Sequence, residues 1–155
     1  MLKAIHPVAG AVALLTIAIF WLSTALSELF GSTAAVTAVK TAIPWGFLLL
    51  VPTLAAAGGS GFALAQGARD ALIGAKRRRM PIVAANGVLI LIPSALFLAA
   101  KARAGEFDTS FDLVQALEFV AGATNITLLG LNLRDGLKLT GRIGRRMSSR
   151  SKADA

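Results

Sequence analysis

The residues of this chain with most scope for chemistry fall on one stripe in its C-terminal third. Gln115, Glu118, Gly122, Asn125 and Asn132 follow one another at steps of three, four, three and seven. That spacing puts side chains on one face of an α-helix. The block that holds them, "FDLVQALEFVAGATNITLLGLNL" from 111 to 133, is otherwise largely apolar. Glu118 stands seven residues in from Phe111, a depth of about 10 Å at ~1.5 Å per residue. A carboxyl at such depth can carry a proton, hold a cation or small ligand, or fix packing by a hydrogen bond to Ser23, Thr24 or a backbone carbonyl. No basic residue is expected at its level, so burial favours the neutral acid. Gln115 and Asn125 share its stripe, and Asn86 falls at the depth of Asn125 on the preceding block. These four form the candidate proton or ligand site. Leu113, Phe119, Ile126 and Leu133 are expected to face lipid.

A second constellation lies toward the opposite membrane surface. His6 precedes Pro7, a residue suited to the first position of a helix. Met80 opens a later apolar block on the same side. Histidine with methionine is a known axial pair for haem, and Arg77, Arg78 and Arg79 lie where propionates would need bases. A flat ring also wants small neighbours. Gly58, Gly59 and Gly61 fall within "AAAGGSGFALAQG", where Ala55, Gly59, Ala63 and Gly67 recur every fourth residue. The same small residues, with Gly122, equally suit close helix packing. His6 as a metal-free interfacial residue is the plainer expectation, and haem b with His6 and Met80 as axial ligands is the alternative.

Composition removes several classes. There is no cysteine, which excludes disulfides, thiolate metal sites and cysteine catalysis. The single histidine excludes a multi-imidazole site within one subunit. With no tyrosine, an aromatic belt rests on Trp21, Trp45 and the phenylalanines. "GGSG" lacks the Lys-Ser/Thr of a phosphate loop. No nucleophile–histidine–acid set, paired-carboxylate site or dinucleotide motif assembles, so an enzyme acting alone is not expected.

The elements that must position these residues follow from hydropathy. Of 155 residues, 55% are hydrophobic and only 15% charged, against about a quarter charged in a soluble domain. Four apolar blocks reach the ~20 residues a membrane helix needs: 7–29, 42–66, 80–100 and 111–133. The fold class expected is an all-α integral membrane protein, a four-helix antiparallel bundle, because short links make sequential helices neighbours. Pro44, Pro52 and Pro93 predict kinks. The first block is longer and less interrupted than the ~7–15-residue apolar core of a signal peptide, so it reads as a span. Residues 134–155 read as a basic tail whose first turns could lie on the membrane surface through Leu137, Leu139, Ile143 and Met147.

Charge sets the orientation. With four spans, Lys3, Arg69, Lys76 to Arg79 and the seven bases from Arg134 to Lys152 share one side, thirteen of the 16. Lys40, Lys101 and Arg103 take the other. This asymmetry predicts cytoplasmic termini, and a bacterial inner membrane is the expected setting. The run Lys76, Arg77, Arg78, Arg79 is then explained by topology and by anionic lipid headgroups. It lacks the interleaved aromatics of a nucleic-acid surface, so no nucleic acid is expected. Three functions remain: a membrane protein acting through the polar site, with self-association; a b-type haem electron carrier; and an accessory subunit of a larger membrane complex.

Overall fold

A computed structural model describes residues 2–64 and 71–139. The chain is all-helical, with no strand among the described residues. Its elements are α1 (Leu2–Phe30), α2 (Thr33–Leu64), α3 (Ala71–Asn86), a π-helical turn (Gly87–Leu91), α4 (Ile92–Ala104) and α5 (Thr109–Leu139). Four helices are long and apolar enough to cross a membrane: Ile5–Phe30, Thr33–Ala63, Arg78–Ala104 and Thr109–Lys138. The third is α3, the π turn and α4 running on as one rod. Helix α5 continues six residues past Leu133, into what reads in the sequence as tail. Gly67, Arg69 and residues 140–155 lie outside the described residues, as do the side chains of Lys76, Arg77 and Leu139.

The helix ends have local causes. Only Gly31 and Ser32 separate α1 from α2. The Gly31 N–H donates to the Ser27 carbonyl at 2.9 Å, and a Cβ on Gly31 would stand 2.5 Å from that same oxygen. The Ser32 hydroxyl then accepts the Ala35 N–H and caps α2. At the other link, Gly105 takes the left-handed conformation at φ +71° that ends helices. Asp108 starts α5: its Oδ1 accepts the Phe111 N–H at 3.1 Å and the Ser110 hydroxyl at 2.6 Å.

Prolines are absorbed in different ways. Pro44 and Pro52 sit inside a continuous α2, and Pro81 inside α3. Pro93, which has no N–H to give, follows the π turn, whose Ile92 N–H donates to the Gly87 carbonyl. Pro7 is not the first helical residue, because α1 already begins at Leu2.

Two apolar clusters form the interior. One joins Ala13, Ile17, Leu50, Val83 and Leu129 across α1, α2, α3 and α5. The other joins Val36, Leu98, Ala102 and Phe111 across α2, α4 and α5. The outer surface is also apolar. Leu15, Ile19, Leu22, Leu26 and Leu29 form an exposed stripe on α1, and Leu113, Leu117 and Val120 one on α5. Exposed leucine at this density is what hydrocarbon, not water, would cover.

Candidate functional site

Helix α5 turns its polar stripe inward. Gln115, Asn125, Asn132 and Asp135 are buried, and Gly122 is buried beside them. The apolar side differs from the sequence expectation. Leu113 is exposed, but Phe119, Ile126 and Leu133 are half-buried, and Leu117 and Val120 take outward places. Phe119 is drawn in by Trp21, whose ring meets it edge-on at 5.4 Å and whose Nε1 donates to the Phe119 carbonyl at 3.0 Å. Trp21 therefore belongs to the helix interface rather than to a belt, whereas Trp45 is exposed.

The expectation that no base stands level with Glu118 is overturned. Lys40 Nζ lies 2.6 Å from Glu118 Oε2, and Lys40 is only 1% exposed. Lys40 reads in the sequence as a loop residue because the second apolar block starts at Ala42. Helix α2 in fact begins at Thr33, which carries Lys40 two turns inside it. A signal was present: Val36, Lys40, Ile43, Leu50 and Ala57 are the buried face of α2, and Lys40 stands in helical step with its apolar members. The carboxylate is thus partnered by a cation, not by Ser23 or Thr24.

The pair has a polar surround. Gln115 Nε2 donates to Glu118 Oε2 at a long 3.4 Å. The Gln115 Oε1 is buried with no hydrogen-bond partner among the described residues, as is Glu28 Oε1. Glu28 shares the electrostatic field of Lys40 and Glu118, and Asp112 acts on Glu28. Two carboxylates, Glu118 and Glu28, thus act on one ammonium. Beside them is a cavity of about 50 Å³ lined by Trp21, Thr24, Gln115, Glu118 and Gly122 among apolar neighbours. That volume accommodates at least one water.

Asn86 and Asn125 form a separate cluster. Asn86 Nδ2 donates to Asn125 Oδ1 and to the Ala121 carbonyl, both at 2.8 Å. Asn125 Nδ2 in turn donates to the Val83 carbonyl at 3.3 Å. These amides stitch the third span to α5. Asn125 is seven residues from Glu118 along the helix, about 10 Å, so Asn86 with Asn125 forms a second cluster apart from Gln115 and Glu118.

His6 and Met80 each have a partner in the bundle. His6 Nδ1 lies 3.0 Å from the Ala57 carbonyl and 3.1 Å from Ser60 Oγ. Met80 Sδ accepts from Asn132 Nδ2 at 3.3 Å. Of the small residues, a Cβ on Gly61 would meet the His6 ring at 2.8 Å, one on Gly58 would only touch Met80, and Gly59 has open space. Of the basic run, Arg79 pairs with buried Asp135 at 2.7 Å and Arg78 is exposed. Asp108, in the α4–α5 turn, has its carboxyl held well below the usual carboxylate range by Lys101 at 2.6 Å, helped by Ser110 and the Phe111 N–H.

Fold and site together define an all-helical protein with four candidate membrane spans and an ion pair buried between two of them. No protein family, curated protein or solved structure is matched by this chain.

Proposed function

We infer that this is a small integral membrane protein, an antiparallel bundle with cytoplasmic termini, whose Lys40–Glu118 pair works as a proton-linked latch between α2 and α5. The two-residue α1–α2 link and the short α4–α5 turn support antiparallel neighbours. The skew of bases to one side supports the orientation.

The observation that carries the reading is the 2.6 Å contact itself, with Lys40 sealed from the surface. Ionisable residues inside membrane spans are expensive and mark functional sites. With both groups charged, the pair is neutral overall and holds the helices together. A proton added to the carboxylate, or lost from the ammonium, leaves one uncompensated charge in a low-dielectric place. Either change favours separation of α2 from α5 and entry of water. Cation binding fits less well, since the Lys40 ammonium already fills the place a cation would take.

Trp21 tests this, because it lines the same small cavity as Glu118. In a Trp45→Phe background, Trp21 emission should shift with pH, and Glu118→Gln should remove that shift. A pH-insensitive Trp21, or the same titration in Glu118→Gln, would leave the pair with a packing role only.

A further inference from the structure

A second and larger cavity, of about 700 Å³, lies between α2 and the third span. Its walls are nearly all apolar: Leu54, Gly58 and Phe62 on one side, Pro81, Val88 and Ile92 on the other, with Asn125 also in the lining. The π turn contributes Gly87, Val88 and Leu91. Interrupted helices of this kind often mark functional places.

Three features identify the occupant. The first is length. From Pro81 to Ile92 the wall runs over twelve residues, about 16 Å of helix, which is half of a ~30 Å hydrocarbon core. The cavity is therefore as deep as one leaflet. The second is lining. Leu54, Val88, Leu91 and nearly all the other wall residues are apolar, the chemistry that suits a hydrocarbon chain. The third is charge. Arg78 and Arg79 immediately precede Met80 and Pro81, which line one end. Arg78 is exposed there. An apolar slot one leaflet deep, with an exposed arginine in the turn before one end of its wall, is complementary to a chain that ends in an anion.

We propose that this cavity holds an acyl tail of an anionic glycerophospholipid, with its phosphate at Arg78, since Arg79 is held by Asp135. The site goes beyond the latch and does not depend on it. The two cavities nonetheless share Ile17, Phe47, Leu50 and Leu91 as a common wall.

The test uses the full chain, purified in mild detergent and incubated with phosphatidylglycerol or phosphatidylcholine, with bound lipid read by native mass spectrometry. Wild type should retain one phosphatidylglycerol in preference to phosphatidylcholine. Gly58→Leu should abolish retention by filling the slot; a Cβ there meets only the flexible end of Met80 at 3.9 Å, so the variant should fold. Gly59→Leu, with nothing within 4 Å, is the second variant. Ala56→Leu, exposed and outside the lining, should retain lipid. Arg78→Ala should weaken retention about fivefold, the value of one base beside an anionic headgroup. Equal retention of both lipids, or retention unaffected by both glycine variants, would overturn the proposal. So would a wild-type dimer that Gly58→Leu dissociates, since a second copy would then be the occupant.

Discussion

Glu118→Gln should destabilise the protein severely, and Lys40→Met should largely undo the damage. At 2.6 Å and an effective dielectric of about 20, the attraction between the two charges is about 6 kcal/mol. Desolvation of two ions consumes several kcal/mol of that, so the pair as a whole adds little net stability. Removing one partner is different. Lys40 would lose its counter-ion and sit beside a neutral amide, at a cost of about 3–5 kcal/mol. Glu28 softens this through its own field at Lys40, which favours the lower end of the range. The double variant Lys40→Met, Glu118→Gln has no uncompensated charge and should fall within about 1.5 kcal/mol of wild type. The coupling, the two single-variant costs less that of the double, is then at least about 1.5 kcal/mol even if Lys40→Met alone costs nothing. Unfolding in SDS–detergent mixtures, followed by helical circular dichroism, measures all four corners of the cycle. Additive effects, or a Glu118→Gln protein within 1 kcal/mol of wild type, would refute the reasoning, because the charges would then be solvated or apart.

Gly122→Ala should cost up to about 2 kcal/mol despite better helix propensity, since its Cβ would stand 2.8 Å from Trp21 Cδ1; Gly130→Ala, with open space, should stabilise instead. Equal melting temperatures for the two would argue against the Trp21 contact. The Asp108 carboxyl is held below its usual value in the folded state, so its contribution is complete above the unfolded value of about 3.9 and fades as pH falls below it. Asp108→Asn should therefore flatten the acid limb of stability against pH and leave the neutral limb parallel to wild type. His6 is assigned a helix-to-helix hydrogen bond, so protein produced with haem available should be colourless; a Soret band that His6→Ala removes would reassign it as an axial ligand.

The spans were legible because they depend on total hydropathy, which is a property of the sequence alone. The inward stripe of α5 was legible for a similar reason: polar side chains at helical spacing leave only one sensible orientation in an apolar setting. The site's key partner was not legible in the same way. Assigning Lys40 to a loop treated a charge as the end of a span, whereas a helix can carry a charge inside when another helix offers the counter-ion. That counter-ion lies 78 residues away, and no periodicity within one block reports it. Phe119 was misplaced because Trp21, on another helix, offers it an edge-on ring and takes its carbonyl. The cavity was equally hidden, since it exists only where α2 and the third span fail to close on each other.

The central claim, charges sealed inside membrane spans, is tested most directly by thiol labelling, which the absence of native cysteine makes clean. Single cysteines are placed at 108 and, in a Lys40→Met background that leaves no uncompensated cation, at 118. In intact membranes Asp108→Cys should react with a water-borne maleimide from one side, and Glu118→Cys should react from neither. Equal labelling at both positions would put Glu118 in water and contradict the buried pair.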